Sequence, residues 1–274
     1  MGVWAGLLLI LPDWARAQDP LTLSFGIVPQ QSATKLASLW TPICKYLSRQ
    51  TGYRVVFRTA KDIPTFEKRL AAAEYDIAYM NPYHYTVFST DPGYRAFAKE
   101  MDKVIRGIVV VKKDSPYQSI RELAGKTLAF PAPAAFAASV LPRAYFNKSG
   151  IEINLKYVNS HDSVYLTVAK GLYAAGGGIK RTFNNMPEAT RGQLRILWTT
   201  PGYTPHAFAA RPRLSVTAVN AVAKALAAMG TDSEGRELLK NLNLRPIGPA
   251  RDQDWDDVRE LGIDLLKNLT KGID

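Results

Sequence analysis

The sequence is short of several things, and each shortage removes a class of function. It has one cysteine, Cys44, in 274 residues, so no internal disulfide can form. It has three histidines and no cluster of carboxylates, so no metal site is expected. It has no G-x-S-x-G elbow, no Walker A spacing and no G-x-G-x-x-G fingerprint. No run of Lys and Arg exceeds two residues, and basic and aromatic residues do not alternate as on a nucleic-acid platform. A nucleic-acid partner is therefore not expected. Internal repeats and low-complexity segments are absent too.

What is present is ordinary globular material, 47% hydrophobic and 22% charged, so disorder is not the default reading. The length suffices for two lobes of roughly 100 residues each. The formal net charge is +11, a field that favours anionic partners. A small anionic ligand explains that sign economically, although solubility alone would also account for it.

Val3 to Leu11 is an apolar run of signal-peptide length, and Ala15-Arg16-Ala17 follows as an A-x-A-like cleavage site. The run is shorter than the about 20 residues a membrane-spanning helix needs. No Lys or Arg precedes it. Two readings remain: a leader cleaved near Ala17, placing the mature protein in the periplasm, or an N-terminal core segment. No other stretch is long and apolar enough to span a bilayer, so a soluble mature chain is expected. No Cys lies near the cleavage site, which argues against a lipid anchor. Cys44 falls at an apolar position of a helical pattern and reads as a buried thiol, with a metalloid-binding or redox thiol as the alternative.

Strand and helix patterns alternate along the chain. Residues 21–29 read as a strand, 32–50 as a helix, 53–58 as a strand, 63–73 as a helix and 75–80 as a strand. This is a βαβαβ unit, with parallel pairing expected. A β-rich run follows at 106–113. A second unit then places a helix up to Leu123, strands at 126–130, 156–158 and 195–198, a helix over 134–147, and a helix opening at Ser160. Residues 206–211 read as a bridging strand returning to the first lobe. Helices over 216–229, 233–241 and 255–269 complete the pattern. The expected fold is α/β and two-lobed, each lobe a mixed sheet flanked by helices, with two hinge crossings. The expected division is 1–17 leader, 18–111 first lobe, 112–204 second lobe, and 205–274 first lobe again.

Ligands of such sheets bind outside the carboxyl ends of the strands. The candidate walls are therefore the loops at those ends. After the third strand come Tyr79, Asn81 and Tyr83, or simply a helix-opening turn with packed tyrosines. After the second lobe's first strand come Ala134, Ala135, Phe136 and Ala137. There small side chains would let an anion approach free helix N–H groups, though a well-packed helix start reads the same way. Ser160, His161 and Ser163 open another helix. A Ser/His/Asp triad is disfavoured there, because Asp162 and Ser163 adjoin His161 in sequence. Residues 174–183 set three glycines beside Lys180 and Arg181, suiting either an oxyanion held by Arg181 or a flexible turn. Thr200 and His206 lie near the second crossing.

These segments together resemble a known family. Phe25–Pro29, Tyr75–Pro82, Lys113–Pro116, Phe130–Pro142, Ser160–Asp162 and Trp198–Pro201 resemble the phosphate/phosphite/phosphonate substrate-binding proteins of ABC transporters, which are type II periplasmic binding proteins. The resemblance covers about Leu21 to Leu266. It implies a ligand-capturing, non-enzymatic component that serves a membrane permease, without a cofactor. In family members that bind phosphonates, a hydroxyl-rich helix start and a histidine hold the phosphonate oxygens. His161 matches that histidine, whereas Ala135-Phe136-Ala137 replace the hydroxyls. Binders of aminoalkyl phosphonates hold the amine with acidic residues, and the matching positions here are Arg181 and His206. The resemblance thus implies a plain oxyanion or a ligand negative at both ends. The alternative output of the same fold is a sensor partner of a membrane histidine kinase, and a hydrolase is a distant third. A monomer is expected.

Overall fold

The computed structural model describes residues 20–266, together with Gly2. The expected cleavage at Ala17 and the apolar run before it lie outside the described residues. β1 (Thr22–Ile27), α1 (Ala33–Thr51), β2 (Arg54–Arg58), α2 (Ile63–Ala71) and β3 (Ile77–Met80) alternate as their periodicity predicts. Side chains fix the helix starts. Ser32 caps α1, and Asp62 caps α2 by accepting from the Thr65 N–H at 2.8 Å. α3 (Pro82–Phe88), β4 (Arg95–Glu100) and β5 (Gly107–Lys112) follow.

The second unit begins with a 3-10 turn at Ile120–Leu123 and β6 (Thr127–Phe130). A single π turn, Phe136–Val140, then continues directly into α4 (Leu141–Lys148). β7 (Asn154–Tyr157), α5 (His161–Ala169), β8 (Ala175–Ile179), α6 (Lys180–Asn184), α7 (Glu188–Arg191) and β9 (Leu194–Thr199) complete it. The chain returns through β10 (Ala207–Ala210), α8 (Val216–Ala228), α9 (Ser233–Asn241), β11 (Ile247–Pro249) and α10 (Asp256–Arg259). The helix expected over 255–269 stops at Arg259, and Gly262 takes a positive φ of 60°.

Two sheets result. The first has the order β11-β4-β10-β3-β1-β2, with β1 parallel to β2 and β3, and β10 antiparallel to β3 and β4. The second has the order β7-β6-β8-β5-β9, with β6 parallel to β7 and β8, and β5 antiparallel to β8 and β9. No helix among the described residues is long and apolar enough to cross a membrane.

The two bridging segments expected from sequence are interior strands. β5 sits between β8 and β9 in the second sheet, so residues 107–111 belong there and not to the first lobe. β10 sits between β3 and β4 in the first sheet. The reason is burial on both faces: Ile108 to Val111 and Ala207 to Ala209 are wholly enclosed, as central strands must be. The actual crossings are the short stretches 101–106 and 200–206. They pair with each other, through Ile105 N–H to Tyr203 O at 2.7 Å and Tyr203 N–H to Ile105 O at 3.0 Å. The Thr200 hydroxyl tightens the joint by accepting from the Gly107 N–H at 2.9 Å.

The three glycines read as a loop are also a strand. β8 is fully buried at the centre of the second sheet. A Cβ at Gly176 would lie 2.4 Å from Val164, and one at Gly178 would lie 2.1 Å from the Tyr165 hydroxyl, both on α5. On the opposite face, a Cβ at Gly177 would lie 1.9 Å from the Ala138 carbonyl oxygen. The glycines thus let α5 and the π turn press onto the sheet from both sides.

Candidate functional site

The parallel strands of both sheets end at the junction between the sheets, and the chain segments following them meet there. From the first sheet come Val28 and Gln30 after β1, and Tyr79 and Asn81 at the end of β3. From the second come the π turn after β6, His161 at the start of α5, and Arg181 just after β8. A pocket at this junction is lined by Val28, Gln30, Ile63, Asn81, Ile105, Ala135 to Ala138, His161, Ile179 and His206. It holds about 10 Å³ of space, room for about one water. A tetrahedral oxyanion is larger, so the lobes must part to admit one.

The lining mixes apolar walls with a few fixed polar groups. The first residues of the helical run beginning at Phe136 line this pocket, and the N–H groups of a helix's first turn have no intrahelical acceptor by geometry. The seat is tight: a Cβ at Gly107 would lie 1.9 Å from the Ala137 carbonyl oxygen. Ser139, wholly buried in the same turn, has a hydroxyl without a hydrogen-bond partner among the described residues.

Both pocket histidines are held neutral. Burial first, and then the Arg181 charge, push the His161 imidazole down to about 3. His161 Nδ1 lies 3.1 Å from the Thr182 hydroxyl, leaving Nε2 as the nitrogen available to a guest. The His206 imidazole lies well below its usual range, by burial first and then by Arg181, His84 and His161. It stacks on Tyr79 with centroids 4.9 Å apart. Its Nε2 is 2.8 Å from the Gln30 side-chain nitrogen. The amide donates there, so the imidazole proton sits on Nδ1.

Gln30 is oriented from both ends, because its Oε1 accepts from Arg181 Nη2 at 2.7 Å. Arg181, a second-lobe residue, is committed to the first lobe. It also donates from Nη1 to the Tyr79 hydroxyl, lies 5.3 Å over the Tyr79 ring, and stands 3.6 Å from Glu100. It lines a second, larger chamber of about 220 Å³ together with Glu100, Lys103, Arg106 and Lys180. That chamber shares Ile105, Ile179 and His206 with the inner pocket.

The structure therefore gathers Asn81, Ala135, Phe136, Ala137, His161 and His206 around the inner pocket, with Tyr79 and Arg181 immediately behind it. Ala134 contributes its carbonyl, which accepts from Asn81 Nδ2 at 3.3 Å across the junction. The other expected residues are elsewhere. Tyr83 faces away from the junction, its hydroxyl accepting from the Leu266 N–H at 3.0 Å. Thr200 is consumed in the crossing. Ser160 caps α5, accepting from the Ser163 N–H at 3.1 Å and donating to the Ser163 hydroxyl at 2.9 Å, so both serve the helix start. Asp162, next to His161, points across the junction and accepts from the Ser32 N–H at 3.2 Å, so no triad assembles. Gln30 joins the pocket residues without being among the expected ones, and its place just after the first strand is the sequence signal for it. Among the described residues no group of His, Cys, Asp and Glu is arranged to hold a metal. Cys44 is buried, and burial pushes its thiol up to about 12, as an inert packing thiol requires.

Comparison with known proteins agrees with this geometry. Residues 25–255 match the family described as the periplasmic substrate-binding protein of phosphonate ABC transporters. The phosphate-import protein PhnD of Mycolicibacterium smegmatis is 23% identical over 227 residues, covering 71% of this chain and 68% of that protein. A binding protein component of an ABC phosphonate transporter from Pseudomonas aeruginosa superposes with a TM-score of 0.82 at 20% identity, covering 89% of this chain and 86% of that one. PhnD1 from Prochlorococcus marinus, solved with methylphosphonate, superposes with a TM-score of 0.81 at 19% identity, covering 89% and 97%. The two mixed sheets flanked by helices match type II periplasmic binding protein structures. With more than half of its length matched, the chain belongs to the family of periplasmic substrate-binding proteins that serve phosphonate ABC transporters.

Proposed function

We propose that this chain captures a small phosphonate- or phosphate-type oxyanion between its two sheets, carries out no chemistry on it, and delivers it to a membrane permease. The observation that carries this reading is the convergence on one closed junction of free helix N–H groups, a neutral His161 and the buried Arg181. The N–H groups and the guanidinium donate hydrogen bonds, and the guanidinium adds positive charge, which is what an oxyanion needs; His161 donates as well in the tautomer that carries its proton on Nε2. Two guanidinium nitrogens of Arg181 bond the protein, and the five donors of the group leave others for a guest. The relatives support the ligand class, since one is named for phosphate import and another was solved with methylphosphonate. Export through the N-terminal apolar run, with cleavage near Ala17, belongs to the same reading.

The ligand class departs from aminoalkyl phosphonates. The resemblance sets His206 and Arg181 at the positions where binders of such ligands carry acidic residues, and the Glu100 carboxylate beside Arg181 is already engaged. Calorimetry of the mature chain, refolded to strip carried-over ligand, against phosphate, phosphite, methylphosphonate and sulfate tests the proposal. Binding of one of the phosphorus oxyanions is expected. Arg181→Ala should weaken it more than about tenfold, the loss of one charge-assisted bond. Unchanged affinity in Arg181→Ala would remove that residue from the site, and no binding of any phosphorus oxyanion would defeat the proposal.

A further inference from the structure

The inner pocket and the chamber of about 220 Å³ are neighbours at the crossings, with Ile105, Ile179 and His206 lining both. Four cations line the chamber: Lys103 and Arg106 from the first crossing, Lys180 and Arg181 from the start of α6. One carboxylate, Glu100, faces them. It is buried and held between Arg181 at 3.6 Å and Lys103 at 3.5 Å. Arg106 and Lys180 have no carboxylate within ion-pair distance among the described residues. Arg106 donates only to the Thr200 carbonyl, at 3.1 Å. The chamber thus has a surplus of positive charge that no described protein group neutralises, next to the inner pocket.

We infer that the chamber receives a second anionic group, so that the preferred ligand is an oxyanion carrying a distal carboxylate or phosphoryl group on a short carbon chain. This rests on the oxyanion reading of the inner pocket and narrows it. The head enters the inner pocket against the helix start and His161. With the lobes parted to admit it, the chain runs past Ile105 and Ile179, which line both spaces, and the distal charge meets Arg106 and Lys180. A neutral tail would leave those cations solvated and contribute only apolar contact. A distal ammonium would be repelled, because the only nearby carboxylate is already shared.

The test is calorimetric titration of the mature chain with methylphosphonate, 2-aminoethylphosphonate and 3-phosphonopropionate in 0.15 M salt, where the Debye length is about 8 Å and the general positive field is screened. The head group is constant and the tail is neutral, cationic or anionic. The expected order is 3-phosphonopropionate tightest, by about tenfold over methylphosphonate, with 2-aminoethylphosphonate weakest. The double variant Arg106→Ala/Lys180→Ala should erase most of that preference and leave methylphosphonate affinity within about twofold. Both residues are exposed, so the fold does not depend on burying them. Methylphosphonate binding without a preference for the anionic tail overturns this inference alone. A preference that survives the double substitution overturns its assignment to the chamber. Failure of all three to bind overturns the oxyanion reading and this inference with it.

Discussion

At the scale of single residues, the site is governed by which groups are kept neutral. His161 and His206 are enclosed and near Arg181, so a proton on either ring would add a cation beside an existing one in a closed space. Their folded-state values lie below the ordinary 6.5, and His161 falls to about 3. The sign follows directly. Below pH 6.5 the unfolded chain takes up protons that the folded chain refuses, so stability is full above that value and falls as the pH drops towards about 3. His161 should cost about 2 kcal/mol between pH 6.5 and pH 5, a window above most carboxylate titrations, and His206 shifts stability in the same direction. Urea unfolding of the wild type should show this loss. His161→Asn, which keeps a polar group near Thr182 and does not titrate, should show a shallower one. Identical slopes would mean that His161 protonates freely when folded.

The same residues mark what the sequence could tell. His161 and Arg181 were identifiable because each follows a strand end with the chemistry an anion needs. Gln30 was not singled out, because an amide after Pro29 has no signature until its two partners, His206 and Arg181, arrive from positions 176 and 151 residues away. Tyr83 belongs to the aromatic, amide-bearing segment at the end of β3, but the helical turn carries it to the far side, under the C-terminal segment.

At the scale of elements, the instructive case is β8. Its sequence, Ala-Gly-Gly-Gly-Ile, has little β propensity, and local reading makes it a loop. Tertiary contact makes it a central strand, because only glycine leaves room for Tyr165 and Val164 on one face and the π-turn carbonyls on the other. Strands β4 and β11 were also unread: β11 is a three-residue edge, too short to show alternation. By contrast β1, α1, β2, α2 and β3 were legible, since their apolar periods switch cleanly between helix and strand. The glycine argument has a consequence for the site. Gly177→Ala would drive a methyl to within 1.9 Å of the Ala138 carbonyl oxygen and 2.7 Å of Phe130. Overpacking of that kind costs about 1–3 kcal/mol. Because the displaced turn carries the pocket's N–H groups, oxyanion affinity should fall along with the denaturant midpoint. A stable Gly177→Ala variant with intact binding would show that the turn does not depend on this seat.

At the scale of the whole molecule, closure and capture are one process. The two sheets are joined by crossings that pair with each other and also bond the first lobe, and polar contacts between the lobes include Asn81 to Ala134, His161 N–H to the Gln30 carbonyl, Asp162 to Ser32 and Gln31, Asn243 to Asn185, and the Arg181 cluster. A guest that binds only when the lobes meet has its affinity lowered by whatever free energy separates open from closed. Asp162 isolates that quantity, because its carboxylate spans the lobes without lining either pocket. Asp162→Ala should shift the ligand-free chain towards the open form, seen as a larger radius of gyration in solution scattering. It should also weaken every ligand by one common factor, about three- to tenfold, the worth of a partly exposed charge-assisted bond. Arg181→Ala differs in kind, because it removes a contact to the guest as well as a contact between lobes, so its losses should depend on the charge of the ligand. If Asp162→Ala instead changed the order of ligand preference, the carboxylate would be acting on the guest itself, and closure and recognition could not be treated as separable steps.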